Sequence, residues 1–192
     1  MNDSKSFGQG ATPWRSARTW LHSLTVERQL VTLVAGERHS VGPPFKAMQT
    51  FLPYPSFAAS AKVLDYRRLG KQRVEAFQLL VAIHDEWALD IRAQKGLTSP
   101  AKGWTNHPAA RMWRGHSESL GIYMNEMIVE WVNRGYKNSM LYHPTITSDK
   151  PTWIGDVAFH ASHRSNLLRK DINYYSKFGW TESPNLPYIW PK

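Results

Sequence analysis

Apolar positions along the chain recur at intervals of three and four residues, with no sustained two-residue alternation, so the pattern predicts helices and no strands. From Pro13 to about Ala35, Trp14, Leu21, Leu24, Leu30 and Leu33 trace a stripe that predicts an amphipathic helix, ended by Gly36 and the VGPPFK run at 41–46. MQTFLPYP, from Met48, is extended, because its two prolines forbid a helix through it. Ser56 is an N-cap for a helix to about Asp65. Gly70 interrupts the basic stretch after it, and Val74, Phe77, Leu80, Val81, His84 and Trp87 predict a longer helix to about Arg92. After a Gly-, Pro- and Ser-rich loop, Asn106-His107-Pro108 reads as a cap with proline in the first turn of a helix over 109–134, closed by Gly135. Trp153, Val157, His160, Arg164, Leu167 and Leu168 mark a last helix at about 153–169. The fold class is all-α: a small single-domain helical bundle with an extended N-terminal segment and an aromatic C-terminal segment. Residues 1–47 form an N-terminal extension whose first twelve residues are polar and predicted to be disordered, and 48–192 form the compact domain, with Met48 as an alternative start.

Charge sharpens this picture. The 192 residues carry 24 Lys and Arg against 15 Asp and Glu, a formal charge of +9, which favours anionic partners and nucleic acid first. Nine Trp, eight Tyr and seven Phe add aromatic faces that can stack on bases, although most are expected in the core. The absence of Cys excludes structural disulfides and thiolate-bound zinc. No apolar run is long enough to span a bilayer and the N-terminus lacks a signal-peptide pattern, so the expected setting is cytoplasmic, away from membranes.

The densest chemistry lies in LDYRRLGKQRVE, residues 64–75, where Asp65 and Glu75 stand among Arg67, Arg68, Lys71, Gln72 and Arg73. On a helix, Arg68, Lys71 or Gln72, and Glu75 share one side. A carboxylate among guanidinium groups stays ionised at neutral pH and can stabilise an oxocarbenium-like centre or orient water. A salt-bridge ladder on a surface helix fits the same spacing. A second cluster, Asn106, His107, Arg111 and Arg114 with Trp104 and Trp113, sits at a helix entry suited to phosphate, or forms an ordinary cap over a buried Trp. In the third, His160, His163 and Arg164, the spacing lacks a zinc-protease glutamate; phosphate contact by His163 and Arg164, or structural hydrogen bonding, are the readings, with no metal expected. Lys177 among Tyr174, Tyr175, Phe178 and Trp180 suits stacking on unpaired bases, or a tail that closes the core.

Four motifs in order, LDYRRLGK (64–71), NHPAARMW (106–113), NRGY (133–136) and YYSKFGW (174–180), resemble the small all-α pyrimidine-dimer DNA glycosylases of the phage endonuclease V type. The resemblance covers about 48–182. It is closest to a bacterial branch that shares MQTFLPYP, RLGKQRVE and the 159–171 segment, and it extends to glycosylases that defend bacteria by excising glucosylated hydroxymethylcytosine from phage DNA.

The resemblance implies a DNA glycosylase acting on double-stranded DNA with a modified or damaged pyrimidine. It implies no cofactor, and we expect a monomer. Two positions depart from the phage pattern. The phage nucleophile is a terminal α-amine, whose counterpart here lies near Met48, behind 47 residues. The family's catalytic Glu follows Tyr-Arg, and Arg68 stands there. The expectation is therefore a monofunctional enzyme that uses water, with Asp65 or Glu75 as the catalytic carboxylate and Arg68 beside it. Arg67, Lys71 and Arg73 are assigned to phosphates, Gln72, Asn106 and His107 to the extruded nucleotide, and Arg111, Arg114, His163, Arg164 and Lys177 to the wider footprint. A DNA-binding module without catalysis, a dimer glycosylase with lyase activity, and an RNA-directed protein are the alternatives.

Overall fold

The computed structural model describes residues 48–96 and 104–191. The helix expected at 13–35, with the rest of the 1–47 extension, lies outside the described residues. Within them the fold is all-α, as the apolar periodicity predicts.

Helix α1 (Phe57–Val63) starts where the Ser56 hydroxyl accepts from the Ala59 amide. A two-residue corner at Leu64 and Asp65 leads into α2 (Tyr66–Ala82), which Asp65 caps by accepting from the Arg67 and Arg68 amides. Helices α3 (Glu86–Gln94), α4 (Pro108–Trp113), α5 (Ser117–Asn133), α6 (Val157–Lys170) and the short α7 (Ile172–Tyr175) come next, with a 3-10 turn at Ser176–Phe178.

The boundaries differ from the sequence reading in four places. Gly70 does not interrupt a helix; it lies inside α2, where a Cβ would fall 2.8 Å from the Trp131 ring of α5. Close approach of the two helices is the reason for glycine there, and it outweighs the helix cost of about 1 kcal/mol. The helix expected to reach Arg92 is two, broken where His84 takes the left-handed conformation (φ 65°) and Asp85 caps α3. The helix over 109–134 is likewise two, parted at Gly115 (φ 81°). The last long helix begins at Val157, so Trp153 lies in the turn before it, edge-on to Trp113.

Helix α2 packs mainly on α5, and α1 packs on α5 as well. Around that contact Leu69, Leu79, Leu80, Leu120, Tyr123, Met124 and Trp113 are fully buried. The extended segment from Met48 to Pro53 runs through the interior with no strand beside it among the described residues. Its backbone polar groups therefore need side-chain partners. Gln72 Oε1 accepts from the Phe51 amide and Gln72 Nε2 donates to the Gln49 carbonyl. His163 Nδ1 accepts from the Leu52 amide, and His160 Nδ1 donates to the Leu52 carbonyl. Arg164 reaches the Pro53 carbonyl, and the Tyr123 and Tyr188 hydroxyls reach Phe51 and Thr50. The His-x-x-His-Arg cluster is thus a backbone clamp.

Gly121, in α5, faces the buried His143 ring, with which an added Cβ would overlap. His143 is held by Asn125 through its backbone and by the Trp87 ring, so it has nowhere to retreat. Gly121→Ala lowers stability by roughly 1–3 kcal/mol through overpacking, against alanine's better helix propensity, as a thermal melt will register.

Candidate active site

The first half of α2, the 49–51 segment and the α6–α7 junction enclose a cavity of about 590 Å³. Arg67, Arg68, Lys71 and Lys170 bring four cations to it, and Asp65, Glu75 and Asp171 three carboxylates. Phe51, Tyr66 and Tyr174 supply aromatic wall, and Gln49 and Gln72 complete the lining. A helical spacing of three and four aligns the α2 residues; only tertiary packing adds Lys170, Asp171 and Tyr174.

The two carboxylates of α2 sit in opposite circumstances. Asp65 Oδ1 accepts from the Arg67 and Arg68 amides at 3.0 and 3.1 Å, and Oδ2 from Arg68 Nη1 at 2.5 Å and the Tyr175 hydroxyl at 2.6 Å. A carboxylate offers about four acceptor positions, and all are used. Burial works against ionisation of Asp65, but Tyr175 and Arg68 outweigh it and hold its pKa below the ordinary aspartate value. Burial, joined by the bond to Asp65, pushes the Tyr175 phenol far up. Asp65 is thereby built into the corner between α1 and α2.

Glu75 accepts from Lys71 Nζ at 3.0 Å on Oε1 and from Gln72 Nε2 at 2.7 Å on Oε2. Burial raises its pKa above the ordinary glutamate value, only partly offset by Lys71, the Gln49 backbone and Gln72. It is a buried carboxylate on a cavity wall with acceptor capacity left and two side chains fixing its plane. It is also more basic than a solvated glutamate.

Several residues assigned to DNA from the sequence lie elsewhere. Arg73 is buried, its guanidinium 4.1 Å from the centre of the Trp131 ring and bonded to Asn138; burial lowers its pKa to about 10. It faces the α5 side and does not line the cavity. His163 is fully buried with its pKa driven down by burial, so it is a neutral clamp on Leu52 and meets no phosphate. Arg164 is held by Glu182 and the Pro53 carbonyl. Gln72 lines the cavity, but its amide is spent on Phe51, Tyr123, Gln49 and Glu75, so it positions Glu75 and cannot read a base. His163, Arg164 and Gln72 share one cause: the buried 49–53 backbone consumes the nearest long polar side chains, whereas Arg73 is taken up by Trp131 and Asn138.

Asn106, Arg111 and Arg114 are exposed around α4, away from the cavity lining, and Arg114 donates to the Thr105 carbonyl. His107 caps α4 through Nδ1, with its ring between Trp104 and Trp190. Lys177 is exposed with Nζ 3.7 Å from the centre of the Tyr174 ring, and Tyr174 lines the cavity. Sequence reasoning missed Lys170 in RKD (169–171), because basic residues at a helix C-terminus read as ordinary partners of the helix dipole.

A family model described as pyrimidine dimer DNA glycosylase matches residues 48–144, half of the chain. The protein belongs to the pyrimidine dimer DNA glycosylase family. Its matched segment begins where the buried extended segment begins and runs through α5, so it includes Asp65, Arg68, Lys71 and Glu75. Lys170 and the clamp histidines lie beyond it. No curated protein and no solved structure matches the chain. Among the described residues no helix is long and apolar enough to cross a membrane.

Proposed function

We propose that this glycosylase extrudes a modified or damaged pyrimidine nucleotide from duplex DNA into the α2 cavity and hydrolyses its N-glycosidic bond with Glu75 as the catalytic carboxylate. The observation that carries the proposal is Glu75 itself, a buried carboxylate held by Lys71 and Gln72 on the wall of a cavity that Arg67 and Arg68 also line. Cleaving the bond between a base and its sugar leaves positive charge on the sugar, as in glycoside hydrolysis. A buried carboxylate held in place stabilises that charge and accepts a proton from the attacking water. Asp65 keeps its four donors and positions Arg68; Arg67, Arg68 and Lys71 hold the phosphates beside the extruded nucleotide.

A cavity of this size lies in the ordinary range for small-molecule pockets, about 300–1,000 Å³. Its aromatic wall of Phe51, Tyr66 and Tyr174 suits the face of one base, and the charged groups of Arg67, Arg68 and Lys71 beside it suit a hydroxyl-rich substituent on that base. Glucosylated hydroxymethylcytosine, and with it a role against phage, is therefore our preferred substrate, over a pyrimidine dimer. Incubation with unmodified, ultraviolet-irradiated and glucosylated duplexes, then hot alkali, tests this. Alkali-labile breaks in the glucosylated duplex alone support the assignment; breaks only in irradiated DNA reassign the substrate. Binding to modified DNA with no breaks in any duplex leaves a recognition module, a reading that Arg68 in the family's acid position also favours.

Arg67 is exposed at the rim, with its Nε on the Tyr66 hydroxyl. Arg67→Ala weakens binding to all duplexes alike and reduces the slope of log affinity against log salt by about one, which a titration at several salt concentrations reads directly.

A further inference from the structure

At 53 % exposure Tyr66 is the most exposed Phe, Tyr or Trp among the described residues, and it lines the same cavity as Glu75. The two other aromatic residues of that lining are withdrawn. Phe51 is buried, and Tyr174 is half-buried with its hydroxyl on the Leu64 carbonyl. A single exposed apolar ring is ordinary on a protein surface; the support and the neighbours of this one are not.

Tyr66 is the first residue of α2, and the start of that helix is fixed. Asp65 accepts there from the amides of Arg67 and Arg68, from the Arg68 guanidinium and from the Tyr175 hydroxyl. The ring is held in turn by Arg67, whose Nε donates to the Tyr66 hydroxyl at 2.9 Å and whose guanidinium lies 5.6 Å from the ring centre. Tyr66 is thus a half-exposed planar ring on a rigid post. It stands between the Arg67 and Arg68 cations that attract a phosphate backbone and the cavity that receives a base.

The geometry points to Tyr66 as the wedge that opens the duplex: its ring enters the base stack and fills the space left by the nucleotide that moves into the cavity. This rests on the proposed function in requiring that a nucleotide leave the stack.

Extruding a nucleotide breaks one pair and two stacking contacts, and the gap recloses on the departed base unless something occupies it. An aromatic ring in the gap restores stacking to the neighbouring bases and blocks the return. Every base has a stacking face, so the wedge is indifferent to sequence and the cavity keeps the choice of base. Tyrosine suits the task because its two side-chain torsions leave little freedom to lose. The bond to Arg67 also couples the ring to a cation assigned to the adjacent phosphate.

Two experiments on the full chain test the wedge. In the first, affinities are measured for an intact duplex and for the same duplex carrying a tetrahydrofuran residue, a stable abasic analogue. Wild type prefers the abasic duplex, because the ring enters the gap without displacing a base. Tyr66→Ala reduces that ratio by roughly 5–150-fold, the loss of one base–aromatic stack. Tyr66→Trp retains it, and both variants keep the wild-type melting midpoint. Equal affinity of wild type for the two duplexes, or an unchanged ratio in Tyr66→Ala, overturns the wedge.

The second experiment reads single-turnover base release from two glucosylated hydroxymethylcytosine duplexes. One has guanine opposite the modified base; the other has tetrahydrofuran, so no pair has to be broken. Tyr66→Ala slows release from the paired duplex by a factor in the same range and has a much smaller effect on the unpaired one, and Tyr66→Trp restores the paired rate. Equal loss on both makes Tyr66 a wall for the extruded base and rejects the wedge, as does no loss on either. If wild type releases no base from these duplexes, the substrate assignment fails and the affinity ratio alone decides the wedge.

Discussion

Glu75→Gln lowers the single-turnover rate of base release by roughly 10²–10⁴-fold, the range a positioned general base contributes, and it does so without destabilising the protein at neutral pH. The two halves of that result come from the same fact. Burial raises the Glu75 pKa above the usual 4.5, with Lys71 and Gln72 only partly countering it. A carboxyl group whose pKa is raised on folding binds its proton more tightly in the native state than in the unfolded chain. Stability therefore falls as pH rises from the ordinary glutamate range through the folded pKa, and at pH 7 the ionised Glu75 is a net cost to the fold. The amide removes that cost, and its single oxygen keeps one of the two donors, Lys71 or Gln72, so the loss of the other offsets only part of the gain. The acid limb of the wild-type rate profile lies above the ordinary glutamate range for the same reason.

Asp65→Asn is the comparison, with the opposite sign. Its folded pKa is lowered, so its contribution is full above about 3.8 and is lost as pH falls through the folded value. At neutral pH this variant loses stability, because Tyr175 and Arg68 lose an ionised acceptor. Melting curves and alkali-cleavage rates for both variants separate a catalytic carboxylate from a capping one. A salt-bridge ladder on α2 makes the reverse forecast for Glu75: stability lost, base release intact.

Gln72→Met has the largest expected effect on stability. The side chains are close in size, so the change removes hydrogen bonds and little volume. Tyr123 retains the Phe51 carbonyl, and Glu75 retains Lys71. The Phe51 amide and the Gln49 carbonyl lose the partners shown for them inside the protein. Each such orphaned group costs about 1–3 kcal/mol, so the pair costs roughly 2–6 kcal/mol. That is a large part of the roughly 5–15 kcal/mol by which most domains are stable. Urea unfolding measures it; a change below about 1 kcal/mol would show that the 49–51 segment is anchored without Gln72. Base release falls as well, since Gln72 sets the plane of Glu75.

Local signals carried much of the fold. Ser56, Pro108 and Gly135 mark helix ends through backbone chemistry that acts within a few residues, and each stands where the sequence places it. Gly70 and Gly115 look alike in the sequence and do opposite things. Gly115 breaks a helix with a left-handed turn, whereas Gly70 continues one because Trp131 occupies the space of its missing side chain. The second fact belongs to a contact between α2 and α5, which no window around residue 70 contains.

The site divides in the same way. By itself the sequence determined the all-α class, the family motifs and the alignment of Arg68, Lys71, Gln72 and Glu75 on one helix side, because spacing along a helix is a local property. Tertiary structure alone decided which polar groups were free for chemistry. Threading residues 48–53 through the core consumed Gln72, His160, His163 and Arg164 as hydrogen-bond partners. The same packing carried Lys170, distant along the chain, to the cavity that Glu75 lines. A buried backbone must be satisfied by whatever side chains fold against it, so the division between clamp and active site is made only when the helices meet.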